Sequence, residues 1–373
     1  MRGIYTSVIL IILLNIVGCA SVETQFHDVS ASEIKKEERI QREMVLNVAE
    51  REEIRVLRVA YPIMVANAPL CSKVAHTAGL GFWSEFDFKK DERPFAKRSL
   101  FVDENVRVRF VHPNSPAAIG GIQVDDILVV VNGKEIVSGR KGDKTYKNIF
   151  KNYKKDSFSA VFKRKNNIYN VELKFDEQCD YKVRYDYRDS EINAWADGKR
   201  VVIARGILRF AEDDHTLAGV IAHELAHNVM VHAHKVKHNA SVGALAGFVL
   251  DRVVIGYADI DDGGIFSEFG KSLGWGAHSV KMEQEADYVG LYFMERAGYD
   301  ISIMPHFWRK MASENYDKAI GMETSHPTSV KRFIALEKTR AEIAKKKRAG
   351  APLLPNKNNR SFRVIKTDLE YEK

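Results

Sequence analysis

Cysteine and proline are scarce in this chain, three and nine of 373 residues, and glycine is ordinary at 24. No Gly-rich period and no low-complexity tract runs through it, which excludes collagen-like and low-complexity classes. No uninterrupted apolar run reaches the roughly 18–20 residues of a membrane-spanning helix, which excludes a polytopic membrane protein. Charge of one sign is not concentrated either: 57 basic residues face 50 acidic ones, a formal +7 spread along the chain. Nucleic acid is therefore not an expected partner, because phosphate binding needs a concentrated basic patch. What is present is globular composition, 45% hydrophobic and 29% charged, long enough for about two domains of roughly 100–200 residues.

Residues 1–18 read as an export signal: Arg2, the apolar run Val8 to Val17, then Gly18 before Cys19. A run of that length is too short to span a bilayer and matches a signal's apolar region. An uncleaved anchor or a buried helix is the competing reading. Ile16-Val17-Gly18-Cys19 resembles the bacterial lipobox, in which the cysteine becomes the lipidated first residue. Ala20 and Ser21 follow it, with no aspartate, which in such lipoproteins favours the outer membrane over the inner one. The resemblance implies a chain held by lipid to the bacterial cell envelope, facing the periplasm. Cys71 and Cys179 then remain, a pair that an oxidising compartment allows to bridge. The loop so closed has roughly 108 residues, worth about 4–5 kcal/mol in the chain-entropy model. Two buried thiols that never meet are the alternative.

The remaining chain divides into four stretches. In residues 19–75, Ile34, Ile40, Met44, Val48, Ile54, Leu57 and Tyr61 recur at near-helical spacing among charges. This predicts one long amphipathic helix or two, with a kink or boundary at Pro62 and the apolar stripe packed on the later domain. A coiled-coil dimer is the alternative. Residues 76–178 change to a β pattern, with strands expected over 106–111, 127–131, 158–163 and 168–175. Residues 179–345 return to a helical pattern after short strands at 181–187 and 200–204. Residues 346–373 read as a basic, polar, solvated tail. The predicted class is α+β: a mainly helical domain with a small edge sheet, plus a small β-rich domain.

The decisive pattern is His223-Glu224-Leu225-Ala226-His227. Histidines at i and i+4 share one helical face, so both imidazoles can reach one metal ion, and Glu224 can take a proton from metal-bound water. The surrounding Leu217, Val220, Ile221, Leu225 and Val229 make the helix a buried one. A merely self-satisfied His-Glu-His cluster would leave a costly buried carboxylate. Tetrahedral catalytic zinc needs a third protein ligand. Glu283 and Asp287 share a face at i and i+4, whereas Glu285 points about 160–200° away. Glu283 is the candidate third ligand, with Asp287 accepting from one histidine's free N–H. A solvated acidic helix face is the competing reading. His232 and His234 are placed off the ligand face, near the site or exposed.

These motifs resemble a zinc peptidase family, the gluzincins that include the HtpX heat-shock protease, the CAAX prenyl protease and the BepA-type periplasmic proteases. The matching segments are INAWADGKRVVIARGIL (192–208), the helix through HELAH (223–227), EQEADYVGLYFMERAGYD (283–300) and HPTSVKRF (326–333). The resemblance implies one zinc ion per chain, peptide-bond hydrolysis and an edge strand that holds substrate extended. It also places His326 near the metal as an oxyanion or plug residue, against a helix-capping or surface role. The apolar stretch 242–258 is interrupted by Asp251 and Arg252 and reads as a packed or membrane-grazing helix. SPAAIGGIQVDDILVVVNG (115–133) resembles the core of a bacterial PDZ domain, with Asp125-Asp126 where Gly-Asp is usual. Gly79-Leu80-Gly81-Phe82 resembles that domain's carboxylate-binding loop, against a plain turn. The expected function is hydrolysis of misfolded or unassembled envelope proteins, with a carboxy-terminal peptide as a candidate PDZ ligand. The alternative is a PDZ-mediated binding or chaperone lipoprotein with little or no proteolysis.

Overall fold

The computed structural model describes residues 27–151, 153, 155–230, 265–314 and 330–356. Cys19, His232, His234, the stretch 242–258, His326 and the last seventeen residues lie outside them. The order of elements is α1 (Ala31–Ala66), β1 (Val74–Thr77), β2 (Leu80–Trp83), α2 (Arg93–Ser99), β3 (Arg107–Val111), α3 (Pro116–Ile119), β4 (Ile127–Val131), β5 (Lys134–Glu135) and α4 (Arg140–Lys151). Then come β6 (Ser157–Arg164), β7 (Asn167–Lys174), β8 (Asp176–Cys179), β9 (Lys182–Asp186), β10 (Ala194–Ala196) and β11 (Arg200–Ala204). The last elements are α5 (Arg205–Phe210), α6 (Asp214–Val229), α7 (Ile265–Arg296), α8 (Met304–Glu314) and α9 (Val330–Arg348). The class is α+β, and no described helix is long and apolar enough to cross a membrane.

Helix α1 begins where Ser30 and Glu33 cap each other: the Ser30 hydroxyl accepts from the Glu33 N–H, and the Glu33 carboxylate accepts from the Ser30 N–H. Its stripe differs from the expected one. Ile34, Ile40 and Met44 are exposed, whereas Val56, Val59, Ala60, Ile63 and Met64 are buried. The second half packs on the larger core, where each fully buried aliphatic side chain contributes about 1.5–3 kcal/mol, whereas the first half meets α2 through Glu43–Arg98 and Leu46. Pro62 does not end the helix, which runs four residues further. Proline removes the N–H that would pair with the Arg58 carbonyl. The imidazole of His112, from β3's end, hydrogen-bonds that carbonyl, and its ring stacks on Tyr61 with centroids 4.4 Å apart.

The β-rich unit is an antiparallel sheet in the order β2-β3-β4-β6-β7, with β5 on β4. Val108, Leu128, Val131, Ala160 and Phe162 fill its core. Helix α4 was not anticipated. Its buried residues are Gly142, Asp143 and Tyr146, and its lysines hid the short apolar face. The chain enters and leaves this unit through a two-stranded neck, β1 on β8, closed by a disulfide between Cys71 and Cys179.

The larger core joins the second half of α1 to α6, α7, α8, α9 and a three-stranded sheet. That sheet has the order β10-β11-β9, with β9 parallel and β10 antiparallel to β11. The carboxy-terminal end departs from the expected boundary at 345. Helix α9 runs to Arg348, and residues 351–356 dock rather than float: Arg296 donates to the Leu353 carbonyl and Lys346 to the Leu354 carbonyl.

The neck yields a stability prediction. Replacing Cys71 and Cys179 with serine opens a loop of 108 residues and is expected to lower unfolding free energy by about 4–5 kcal/mol. Urea unfolding of the oxidised protein and the double variant measures it; equal midpoints would show that the bridge adds nothing.

Candidate metal centre

Helix α6 starts at a reciprocal cap, in which the Asp213 carboxylate accepts from the Thr216 N–H at 2.8 Å. Arg55 and Arg58 of α1 hold Asp214 at 2.8 and 3.1 Å, placing an anion where the helix dipole favours one. From there the helix is buried nearly all round, through Leu217, Val220, Ile221, Leu225 and Val229. Helix α7 lies against it so closely that a Cβ on Gly290 would sit 3.3 Å from the His223 backbone. That approach carries one turn of α7 into the histidines.

The Nε2 atoms of His223 and His227 are 3.1 Å apart. Glu283 completes a triangle: Oε2 is 3.2 Å from His223 Nε2, and Oε1 is 3.2 Å from His227 Nε2. Ions bound at about 2.0–2.1 Å in tetrahedral geometry separate their ligands by about 3.3 Å. The three donors therefore fit one small divalent cation. Asp287 Oδ1 lies 3.1 Å from His223 Nδ1, which assigns the ring's proton to that nitrogen and leaves Nε2 for metal. Glu285, two residues from each carboxylate, is exposed.

Arg332 is the residue the motif analysis missed. It comes from α9, is 2% exposed, and donates to both Asp287 oxygens at 2.7 and 2.8 Å. It also reaches Glu283 Oε2 at 3.3 Å. Its position inside the segment 326–333 was the available signal, but spacing along one helix could not connect it to α7. Trp308 of α8 covers both groups, with its ring 5.0 Å from that of His223 and 5.5 Å from the Arg332 guanidinium. Glu224, also buried, brings the carboxylates to three against one guanidinium. With neutral imidazoles, the two remaining negative charges are what a divalent ion balances.

The protonation states follow from this crowding. Burial opposes a charge on His223, but Asp287 and Glu283 together outweigh it and hold its pKa up to about 10. Burial keeps the His227 pKa below its ordinary value. Asp287 is held below the usual carboxylate range, because Arg332 and His223 overcome the burial that would raise it.

Asn228, one residue beyond His227, ties the sheet to the site. Its Oδ1 accepts from the Gly198 N–H at 2.7 Å, and its Nδ2 donates to the Arg200 carbonyl at 2.9 Å. The β10–β11 turn is thereby fixed to α6. The Gly79–Phe82 stretch lies in the other unit, where it enters edge strand β2. Gly79 has φ +68°, and a Cβ there would lie 2.3 Å from Ser115 Cβ and 2.8 Å from Tyr61 Cε2, so the position requires glycine.

Residues 163–340 match Peptidase family M48, and residues 107–148 match the PDZ domain. Over 155 residues the chain is 34% identical to the mitochondrial metalloendopeptidase OMA1 of Schizosaccharomyces pombe, covering 40% of this chain and 44% of that protein. Over 151 residues it is 29% identical to the beta-barrel assembly-enhancing protease of Yersinia pestis, covering 38% and 31%. A putative beta-barrel assembly-enhancing protease of Vibrio cholerae is 32% identical over 135 residues, covering 34% and 28%. The likeness thus spans less than half the length of these curated relatives.

Two predictions come from this geometry. In the metal-free protein the raised His223 pKa adds stability that is fully present below about 6.5 and lost as pH rises through about 10. Metal competes for that proton, so affinity is expected to rise with pH across this window with release of about one proton per ion. Calorimetric titration in two buffers of different ionisation enthalpy measures it, and buffer-independent heats at pH 7.5 would refute it. Separately, Arg332→Met strands two buried carboxylates and is expected to destabilise by about 3–5 kcal/mol. In a denaturation cycle, Asp287→Asn with Arg332→Met should cost less than the two single changes added together.

Proposed function

We propose that this chain, whose residues 163–340 match Peptidase family M48 and residues 107–148 the PDZ domain, is a zinc-dependent endopeptidase acting on misfolded or unassembled proteins of the bacterial cell envelope. One observation carries this reading: His223, His227 and Glu283, from two separate helices, bring three metal-ligating atoms within 4.8 Å of one another. Two imidazoles and one carboxylate are a hydrolytic zinc donor set. The name of the Yersinia pestis relative, a beta-barrel assembly-enhancing protease, supports the envelope assignment. So does the lipobox-like Ile16-Val17-Gly18-Cys19, from which we infer a lipid anchor at Cys19, the outer membrane as its site and the periplasm as the working compartment.

His223, His227 and Glu283 would hold a zinc ion, which would supply Lewis acidity toward the scissile carbonyl and an attacking water. Glu224 accepts the proton of that water and returns it to the leaving amine. Asp287 holds the His223 proton on Nδ1, and Arg332 holds Asp287 in place. Trp308 keeps water from this side of His223. In the PDZ domain, Gly79-Leu80-Gly81-Phe82 begins the edge strand on which a carboxy-terminal peptide would pair.

Glu224→Gln is expected to retain one zinc per chain and to lower casein hydrolysis at least 10²-fold, the usual contribution of a general base. His223→Ala and Glu283→Ala are expected to lose the metal. Elemental analysis and release of labelled casein fragments, with and without chelator, measure both. Full hydrolysis in the presence of chelator would overturn the assignment.

A further inference from the structure

A cleft of about 490 Å³ lies between the two domains, away from the metal centre. Leu57, Ala60 and Met64 of α1 line it, with Gly79–Gly81 on the PDZ side and Asp180–Arg184 on the peptidase side. Both of those segments belong to the outer strands of their sheets, β2 in one and β9 in the other. The β9 ladder defines which of its groups are engaged. Lys182 donates its N–H to the Lys199 carbonyl, so Lys182, Arg184 and Asp186 face β11 through their backbones. By alternation, Val183 and Tyr185 present N–H and C=O away from β11. Among the described residues no strand pairs with that side of β9.

An outer strand with an unused backbone edge is a template for another extended chain. The apolar helix lining beneath it suits side chains of that chain. Charge narrows the ligand. Arg109 also lines the cleft but is neutralised by Glu50 and Glu53 of α1. Lys182 and Arg184 have no ion-pair partner among the described residues and together outnumber Asp180, so the peptidase-side wall carries one net positive charge. None of His223, His227 and Glu283 lines the cleft, although its Tyr181 donates to the carbonyl of Asn228, one residue beyond His227.

We propose that this cleft is a docking site for an extended, acid-bearing segment of unfolded polypeptide, which pairs with β9 at Val183 while the metal centre acts on another part of the chain. The assignment rests on the endopeptidase reading for its ligand class and adds to it a second contact with the substrate. Long unfolded chains then engage two separate regions of the enzyme, whereas short peptides engage one.

The test uses the full chain carrying Glu224→Gln, so that nothing is cut, and fluorescein-labelled, reduced and carboxymethylated α-lactalbumin as probe. Anisotropy titration reads binding. Val183→Pro removes the outward N–H and leaves the β9–β11 bonds intact, a substitution that outer strands tolerate. It is expected to weaken binding at least tenfold, and so is Leu57→Trp, which narrows the cleft from the α1 side. Absence of probe binding by the parent, or parental affinity in both cleft variants, overturns the proposal; if Val183→Pro unfolds, Leu57→Trp decides it. Casein left uncut by the wild-type protein, together with cleft-dependent binding, would remove the catalytic reading and leave the docking site standing.

Discussion

Glu224, Glu283 and Asp287 are buried in one helix–helix interface, and most of the peptidase domain is arranged around that charge. An ionised carboxylate taken out of water needs a partner of opposite charge and hydrogen bonds for its remaining lone pairs. Arg332 answers for part of the deficit from a third helix, and the donor triangle of His223, His227 and Glu283 leaves the rest to a divalent ion. Packing follows from the same constraint. Gly290 lets α7 approach the His223 backbone, and Trp308 closes the side on which water would otherwise solvate the cluster. Binding of such an ion would therefore be coupled to folding, since without it the site has to hold the same anions unaided.

Helix α1 is the second organising element, because it serves both domains with different faces. Glu52, Arg55 and Val59 turn to the peptidase side, where Arg55 also donates to the Ala211 carbonyl and Glu52 accepts from the Tyr185 hydroxyl. Glu50, Glu53 and Tyr61 turn to the PDZ side, where Arg109 and His112 meet them. Exposed ion pairs are worth little, about 0–1 kcal/mol. The Arg109 pairs are better placed, with that side chain only 19% exposed and two carboxylates sharing its guanidinium. Pro62 belongs to the same joint, because the helical hydrogen bond it removes leaves an acceptor for His112.

How much was legible in the sequence depends on how local each interaction is. His223 with His227, and Glu283 with Asp287, are one-turn pairs, so periodicity alone put them on common faces. The change from period 3.6 to period 2 marked the β-rich insert, and the two cysteines flanked it. Arg332 was not legible in this way, because its partners are 45 and 49 residues upstream on another helix. The stripe on α1 misled for the opposite reason: Ile34, Ile40 and Met44 have the spacing of a packed face, but the core ends before reaching them. Helix α4 escaped notice because its lysines outnumber its apolar residues, and the neighbouring strands decide its burial.

The interdomain cleft belongs to a further category: the Gly79–Phe82 loop and the strand at 181–187 each had a sequence signal, but their meeting did not. Its shape depends on where two sheets end, and those ends are held apart by α1 and held together by the neck. The β1–β8 ribbon and its disulfide fix the point at which the PDZ domain leaves the peptidase domain. The α1 contacts with Arg109 and His112 fix its orientation about that point. Two attachments on different sides of one cleft restrain rotation far better than either alone, so the edge of β9 that is unpaired among the described residues is not covered by the neighbouring domain. A peptidase domain joined to the PDZ domain by a single linker would lack that restraint, and the two strand edges would then have no defined separation for an extended chain to enter.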